Sequence, residues 1–419
     1  MNQFQDWILG AFWIVVFSYL LFRIATIKNE DGRWLVAAFI AKILAGIAYG
    51  YLFQKLYPQN DTWIYFSESV NETQTLLHNP NTYFNSLFYG THQDHIPDFF
   101  SSSDNSYWKY LGTYVLIKWL SVINLLSGSN YYVDVIFFNL FITLALFGLY
   151  LTAKKTLVFN NRWVFLIIFF FPGLLFWGSG IHKDGLVVML CASIIVSGFK
   201  ISKGNENSAL KWWVLGIAGF VLLFFVRNVF AILLAPAIIA WLFSVKFRRL
   251  TFGIFSITYL ICLVLFFSSA LLPDTFNLPL KMAERQHTFI ILPANSRLEI
   301  RELEPGLKSY LSVLPQAINH SFLRPYPNEL KGGLYYLSFL VLLLFYAIII
   351  YVLLFFRKEL INILRNPFSI FLLSFAICSY LLIGYTVPIT GAIVRYKAFY
   401  EVLLLIPFAA AIPFRKDHR

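Results

Sequence analysis

Apolar runs recur along this chain, joined by short polar stretches. They cover approximately 7–25, 34–53, 110–126, 132–152, 163–178, 185–199, 211–226, 229–245, 251–272, 334–355, 368–385 and 398–414. A bilayer core takes roughly 20 apolar residues per helix, so the pattern predicts about 11–12 transmembrane helices. Backbone groups in lipid must be satisfied within the segment, which leaves helices as the form these runs take. The expected fold is an all-α, polytopic integral membrane bundle, with residues 1–419 as a single transmembrane domain. Two stretches interrupt the rhythm, 54–109 and 273–333, and are expected as large loops.

Composition strengthens this picture. Of 419 residues, 59% are hydrophobic and only 13% charged, a balance soluble domains rarely reach. The net charge of +12 does not point to nucleic acid, because much of it lies in short joints at helix ends. Basic groups fall at Lys154 and Lys155, Lys200 and Lys203, Lys246, Arg248 and Arg249, Arg357, Lys358 and Arg365, and Arg415, Lys416 and Arg419. Counted back from the C-terminus they share one side, expected to be cytoplasmic. The alternate joints, including 54–109 and 273–333, then face outward. The first run ends in Arg23 and Lys28 and has no small-residue cleavage pattern, so it is expected to stay as a membrane helix. Cys191, Cys262 and Cys378 lie inside apolar runs and imply neither a disulfide framework nor zinc.

The charge pattern has one inconsistency. The acidic 54–109 stretch reads as outer, yet two full crossings at 110–126 and 132–152 would place Lys154 and Lys155 outside as well. A re-entrant or tilted helix over 110–126 resolves this. Within 306–323, apolar residues at helical spacing predict an amphipathic helix, lying on the membrane surface or packed on the bundle.

Charged residues at membrane depth are costly and mark functional positions. Four groups on the inferred outer face qualify. Asn60-Asp61-Thr62-Trp63-Ile64-Tyr65 follows the second run; it offers an acid for a base or metal role, or else an ordinary helix cap. Gly178-Ser179-Gly180-Ile181-His182-Lys183-Asp184-Gly185 is a tight polar turn that suits phosphate or metal, or a plain hairpin with a solvated ion pair. Arg227-Asn228 joins two apolar runs with almost no loop; its guanidinium could clamp a phosphate or snorkel to headgroups. Arg324-Pro325-Tyr326-Pro327 and Arg395-Tyr396-Lys397 open late helices. His92-Gln93-Asp94-His95 resembles a short metal cluster but lacks the ligand number of a zinc site. Lys42, Lys118 and Asp134 sit inside apolar runs and are expected to pair within the bundle.

Together these residues resemble the multi-spanning lipid-linked glycosyltransferases of the GT-C superfamily and the related Wzy/EpsG-like polysaccharide polymerases. The resemblance rests on Asp61 with Tyr65 in the first outer loop, Pro172 ahead of Asp184 in a second, and basic residues in late outer loops. It implies a polyprenyl-(pyro)phosphate sugar donor at the outer face of a bacterial-type inner membrane and a glycan or protein acceptor. Asp61 and Asp184 would be catalytic or bind a divalent cation (Mg or Mn). Tyr65, His182, Lys183, Arg227, Arg324, Arg395 and Lys397 would bind substrate. The chain departs from the common GT-C pattern in an additional helix before the first loop and in Asn-Asp where many members show paired acids. A transporter or flippase of lipid-linked sugars and a non-catalytic envelope subunit are the alternatives. Transporters favour broken helices at mid-membrane, whereas these polar groups gather at one face.

Overall fold

The computed structural model describes residues 3–57, 60–86, 107–157, 162–204, 209–294, 296–329 and 332–413. The His92–His95 cluster lies outside them. The described residues form seventeen α-helices and no named strand. Nine of these helices are long and apolar enough to cross a membrane. The protein is an all-α, multi-pass membrane bundle.

Burial separates centre from rim. Helices α6 (Tyr131–Leu157), α9 (Lys183–Ser202), α16 (Pro367–Thr386) and α17 (Thr390–Ala411) each bury more than half of their residues. By contrast α1 (Gln3–Ile27), α11 (Thr251–Ser268) and α14 (Gly333–Phe355) are apolar yet largely exposed. Leu260, Ile261, Leu263, Val264 and Leu265 of α11 are all exposed. Water would oppose so continuous an apolar surface, and lipid accepts it.

The 38-residue α10 (Ala209–Lys246) would be roughly 57 Å long if straight. It folds back instead at Arg227, whose φ of −154° and ψ of 76° interrupt the helix. Gly216 and Gly219 of its first limb pack on Ser197 and Ile194, and Trp241 and Ile238 of its second limb pack on Gly198. Both limbs therefore lie beside one stretch of α9, and the Arg227-Asn228 joint is a turn.

Helix α5 (Tyr107–Ser127) packs on several neighbours. Thr113 bonds Lys183, Trp119 packs tilted on Phe138 and edge-on against Phe141, and the Leu126 carbonyl accepts from the Trp13 indole, which itself packs on Phe137. These contacts tie α5 to α1, α6 and α9, and its Tyr110–Ser127 stretch is long and apolar enough to cross a membrane. Its Lys118 is buried against Glu72 of α3 (Asp61–His78) at 2.6 Å. Lys42 of α2 (Gly32–Leu56) bonds Ser179 at 2.9 Å. Asp134 is fully buried in the first turn of α6 and pairs with neither lysine.

Several runs are shorter or more broken than their hydropathy suggests. The 163–178 run splits at Phe171 into α7 (Arg162–Phe170) and α8 (Pro172–Trp177), because proline at N1 starts a new helix. The 273–333 stretch is structured: it holds α12 (Leu278–Ile291) and α13 (Leu307–Ile318). Tyr310, Val313 and Ala317 bury α13 against the bundle. One end of the molecule gathers basic groups: the charges of Lys28 and Lys155 reach Lys200, and Asn366 bonds the Thr156 carbonyl. The helix starts carrying Asp61, Asp184 and Arg395 meet at the opposite end.

Candidate active site

Each polar side chain of this cluster is fixed by a helix end. Asn60 caps α3 by accepting the Trp63 amide at 3.1 Å, which places Asp61 as the first helical residue. His182 caps α9: the Asp184 amide points at its Nδ1, 3.4 Å away. Gly180 lets the preceding turn press on Tyr49, where any Cβ would collide with the ring. A strap from the α12–α13 connection holds the start of α17. The Leu298 amide donates to the Pro388 carbonyl at 2.8 Å and the Thr390 amide to the Ser296 carbonyl at 3.0 Å. Arg395 follows one turn later.

These elements bring together two acids, a histidine and two arginines. His182 Nε2 lies 3.0 Å from Asp61 Oδ2, and Nδ1 lies 3.0 Å from Asp184 Oδ2. With Nδ1 accepting the Asp184 amide, the neutral ring carries its proton on Nε2 and donates to Asp61. A protonated ring donates to both carboxylates. Arg227 Nη2 approaches Asp184 Oδ1 at 3.3 Å, and Arg395 Nε approaches its Oδ2 at 3.1 Å. Arg395 Nη1 also lies 3.9 Å from Asp61. Both guanidiniums stand over the Tyr396 ring, 4.6 Å for Arg227 and 5.1 Å for Arg395.

The two acids differ in exposure. The Asp61 side chain is 53% exposed and that of Asp184 only 14%. The hydrogen bond from His182, with the charges of Arg395 and Lys183 behind it, holds the Asp61 carboxyl at about 2, against the opposing effect of burial. Burial and the nearby Asp61 charge push the Tyr65 hydroxyl up.

A cavity of about 740 Å³ opens onto this cluster. Asp61, Tyr65, His182, Lys183, Arg227 and Arg395 line one end. Much of the remainder is apolar, walled by residues such as Phe224, Leu263, Phe266, Leu311, Leu314 and Leu382. Leu263 and Leu311 are also exposed on the outer surface, at 53% and 60%, so the apolar limb reaches the lipid-facing side of the bundle.

Two sequence-predicted residues lie elsewhere. The Arg324 guanidinium is paired with Glu329 and bonded to Asn319, away from the cavity lining. Lys397 is 1% exposed; it donates to the Arg324 carbonyl and faces Glu401 at 3.6 Å. Both fix the turn after α13 to α17. Two residues outside the sequence-based expectations also line the cavity: Tyr396, beside Arg395, and Arg285 of α12. The signal was present: Leu278, Met282, Arg285 and Phe289 recur at helical spacing in what reads as a loop.

Asp61 and Asp184 address opposite nitrogens of one imidazole, so their nearest oxygens are separated by the ring and already engaged. A magnesium or manganese ion needs converging oxygens. Among the described residues no group of three or more His, Cys, Asp or Glu side chains is arranged to hold a metal. This donor set does not fit a divalent ion. No family model, curated relative or solved structure matches the chain.

Proposed function

We propose that this protein is a membrane glycosyltransferase or polysaccharide polymerase that uses a polyprenyl-(pyro)phosphate sugar donor at the outer face of the inner membrane. One observation carries the reading: a half-exposed carboxylate, Asp61, stands beside two arginines at the polar end of a cavity whose other limb is apolar and reaches the lipid-facing surface. A soluble sugar nucleotide has no use for such a limb, whereas a lipid-borne anion fills both halves.

Asp61 accepts the proton of an acceptor hydroxyl as its oxygen bonds the anomeric carbon. The bond from that carbon to the phosphate oxygen breaks, and the phosphate leaves with the electron pair. Arg395 and Arg227 stabilise the charge that develops there. A carboxylate held at about 2 is a weak base, so proton transfer comes late, when the developing bond has made the hydroxyl acidic. His182 fixes the Asp61 carboxylate and couples it to Asp184.

Replacing Asp61 by Asn keeps size and removes the basic oxygen. Glycan extension from a polyprenyl-linked donor should fall by at least a hundredfold in Asp61→Asn, with donor binding retained, since general-base contributions are of order 10²–10⁴. Near-normal extension would leave Asp61 a structural role at the start of α3 and end this reading.

A further inference from the structure

The polar end of the cavity holds more cation than one phosphate requires. Arg395 and Arg227 each lean on Asp184, which offsets part of their charge. Arg285, one turn beyond Lys281 on α12, is half-buried and lines the same cavity. Among the described residues it forms no ion pair with a carboxylate. The charged neighbour that reaches it is Arg227, which together with the larger effect of burial lowers its guanidinium to about 10. Two guanidiniums near one another in a partly desolvated cavity repel, and an unneutralised charge there is costly. The arrangement becomes favourable when an anion lies between them.

The arginines follow an order. Arg395 and Arg227 stand over the Tyr396 ring, and Arg285 lines the same cavity as Arg227 and Tyr396. Arg395 is the one that approaches Asp61. An anion held by Arg395 and Arg227 therefore sits at the reacting end, and Arg227 and Arg285 are placed to hold a second one further along. On the α12 face that carries Arg285, Leu278, Met282 and Phe289 also line the cavity, so the second anion position is continuous with the apolar limb.

We infer that Arg285 and Arg227 form a second phosphate subsite, so that the site takes a lipid diphosphate in preference to a lipid monophosphate. This rests on the reading of the cavity as a lipid-donor site. A diphosphate also occurs free, and the apolar limb argues for the lipid-borne form.

The test uses the purified full chain in detergent with three probes: farnesyl diphosphate, farnesyl monophosphate and inorganic pyrophosphate. Wild type should bind the diphosphate at least tenfold more tightly than either of the others. Arg285→Gln should erase the preference over the monophosphate while leaving monophosphate binding within about twofold. Arg285→Lys, which keeps the charge but loses the planar fork, should fall between the two, and an unchanged melting temperature in both variants confirms that they fold. A preference that survives Arg285→Gln, or is missing in wild type, overturns the subsite while the lipid-donor reading stands. Pyrophosphate binding as tightly as farnesyl diphosphate overturns the lipid source. Failure of both farnesyl probes to bind removes the subsite and the lipid-donor reading together.

Discussion

Arg395 offers the sharpest test of how the site handles charge. Its Nε lies 3.1 Å from Asp184 Oδ2 as an ion pair, Nη2 donates to the Tyr396 hydroxyl at 3.4 Å, and Nη1, 3.9 Å from Asp61, faces the cavity where a phosphate would enter. Lysine keeps the charge but has a single donor centre on a flexible stem. It can meet Asp184 or a phosphate, but not both in this geometry. The side chains concerned are only 18% and 14% exposed, so water restores little of the lost contact. One charge-assisted hydrogen bond lost at such a site costs about 1.5–3 kcal/mol, roughly a ten- to hundredfold weakening of donor binding. Asp184 retains Arg227 and His182 in the variant, so folding should survive. The assay is equilibrium binding of a polyprenyl phosphate to purified wild type and Arg395→Lys, with melting temperature as the control for folding. Equal affinities would mean that Arg395 acts only as a membrane-boundary cation, and the phosphate role would pass to Arg227.

Two further outcomes are expected. His182→Phe fills the same space without ring nitrogens, so the Asp61 carboxyl should climb from about 2 toward its ordinary 3.8. The active form is deprotonated, so wild type keeps its activity until pH falls through about 2, whereas the variant should lose it as pH falls through its higher value. A pH profile of kcat/KM with the same acid limb in both proteins would refute the His182–Asp61 coupling. Gly384→Ala would drive a methyl group into the Ala317 carbonyl of α13; it should destabilise by about 1–3 kcal/mol, the range for overpacking, and an unchanged melting temperature would show that α13 and α16 separate freely.

Hydropathy reveals depth along the membrane normal but not direction around the bundle. It therefore located Asp61, Asp184, Arg227 and Arg395 at helix ends, and even the break in α10, because Arg227-Asn228 interrupts an otherwise apolar run. It could not show that Lys397 faces away from the cavity. Two residues along a helix turn the side chain by about 200°, which carries Lys397 to Glu401 and the Arg324 carbonyl while Arg395 meets the acids. Arg324 was drawn off by Glu329, a partner too close in sequence and too polar in context to signal a fold contact. Helix α12 was hidden for a different reason: it is amphipathic and carries Lys281, Glu284, Arg285 and His287, so its average hydropathy reads as loop although its periodicity does not.

The two carboxylates looked equivalent in sequence, and their surroundings divide the work between them. Asp184 is reached by three cationic or hydrogen-bonding side chains, from the cap of its own helix, the turn of α10 and the first turns of α17. A half-buried anion with those partners acts as the keystone of three helix ends that have no covalent reason to meet. Removing it would leave Arg227 and Arg395 as neighbouring cations without their shared carboxylate in a partly desolvated site, a costly arrangement. Asp61 has fewer partners and far more exposure, so it can exchange one of them for a substrate without dismantling the cluster. His182 stands between them with one nitrogen for each. The geometry thus separates the group that holds the machinery from the group that meets the substrate, and links the two through a single imidazole.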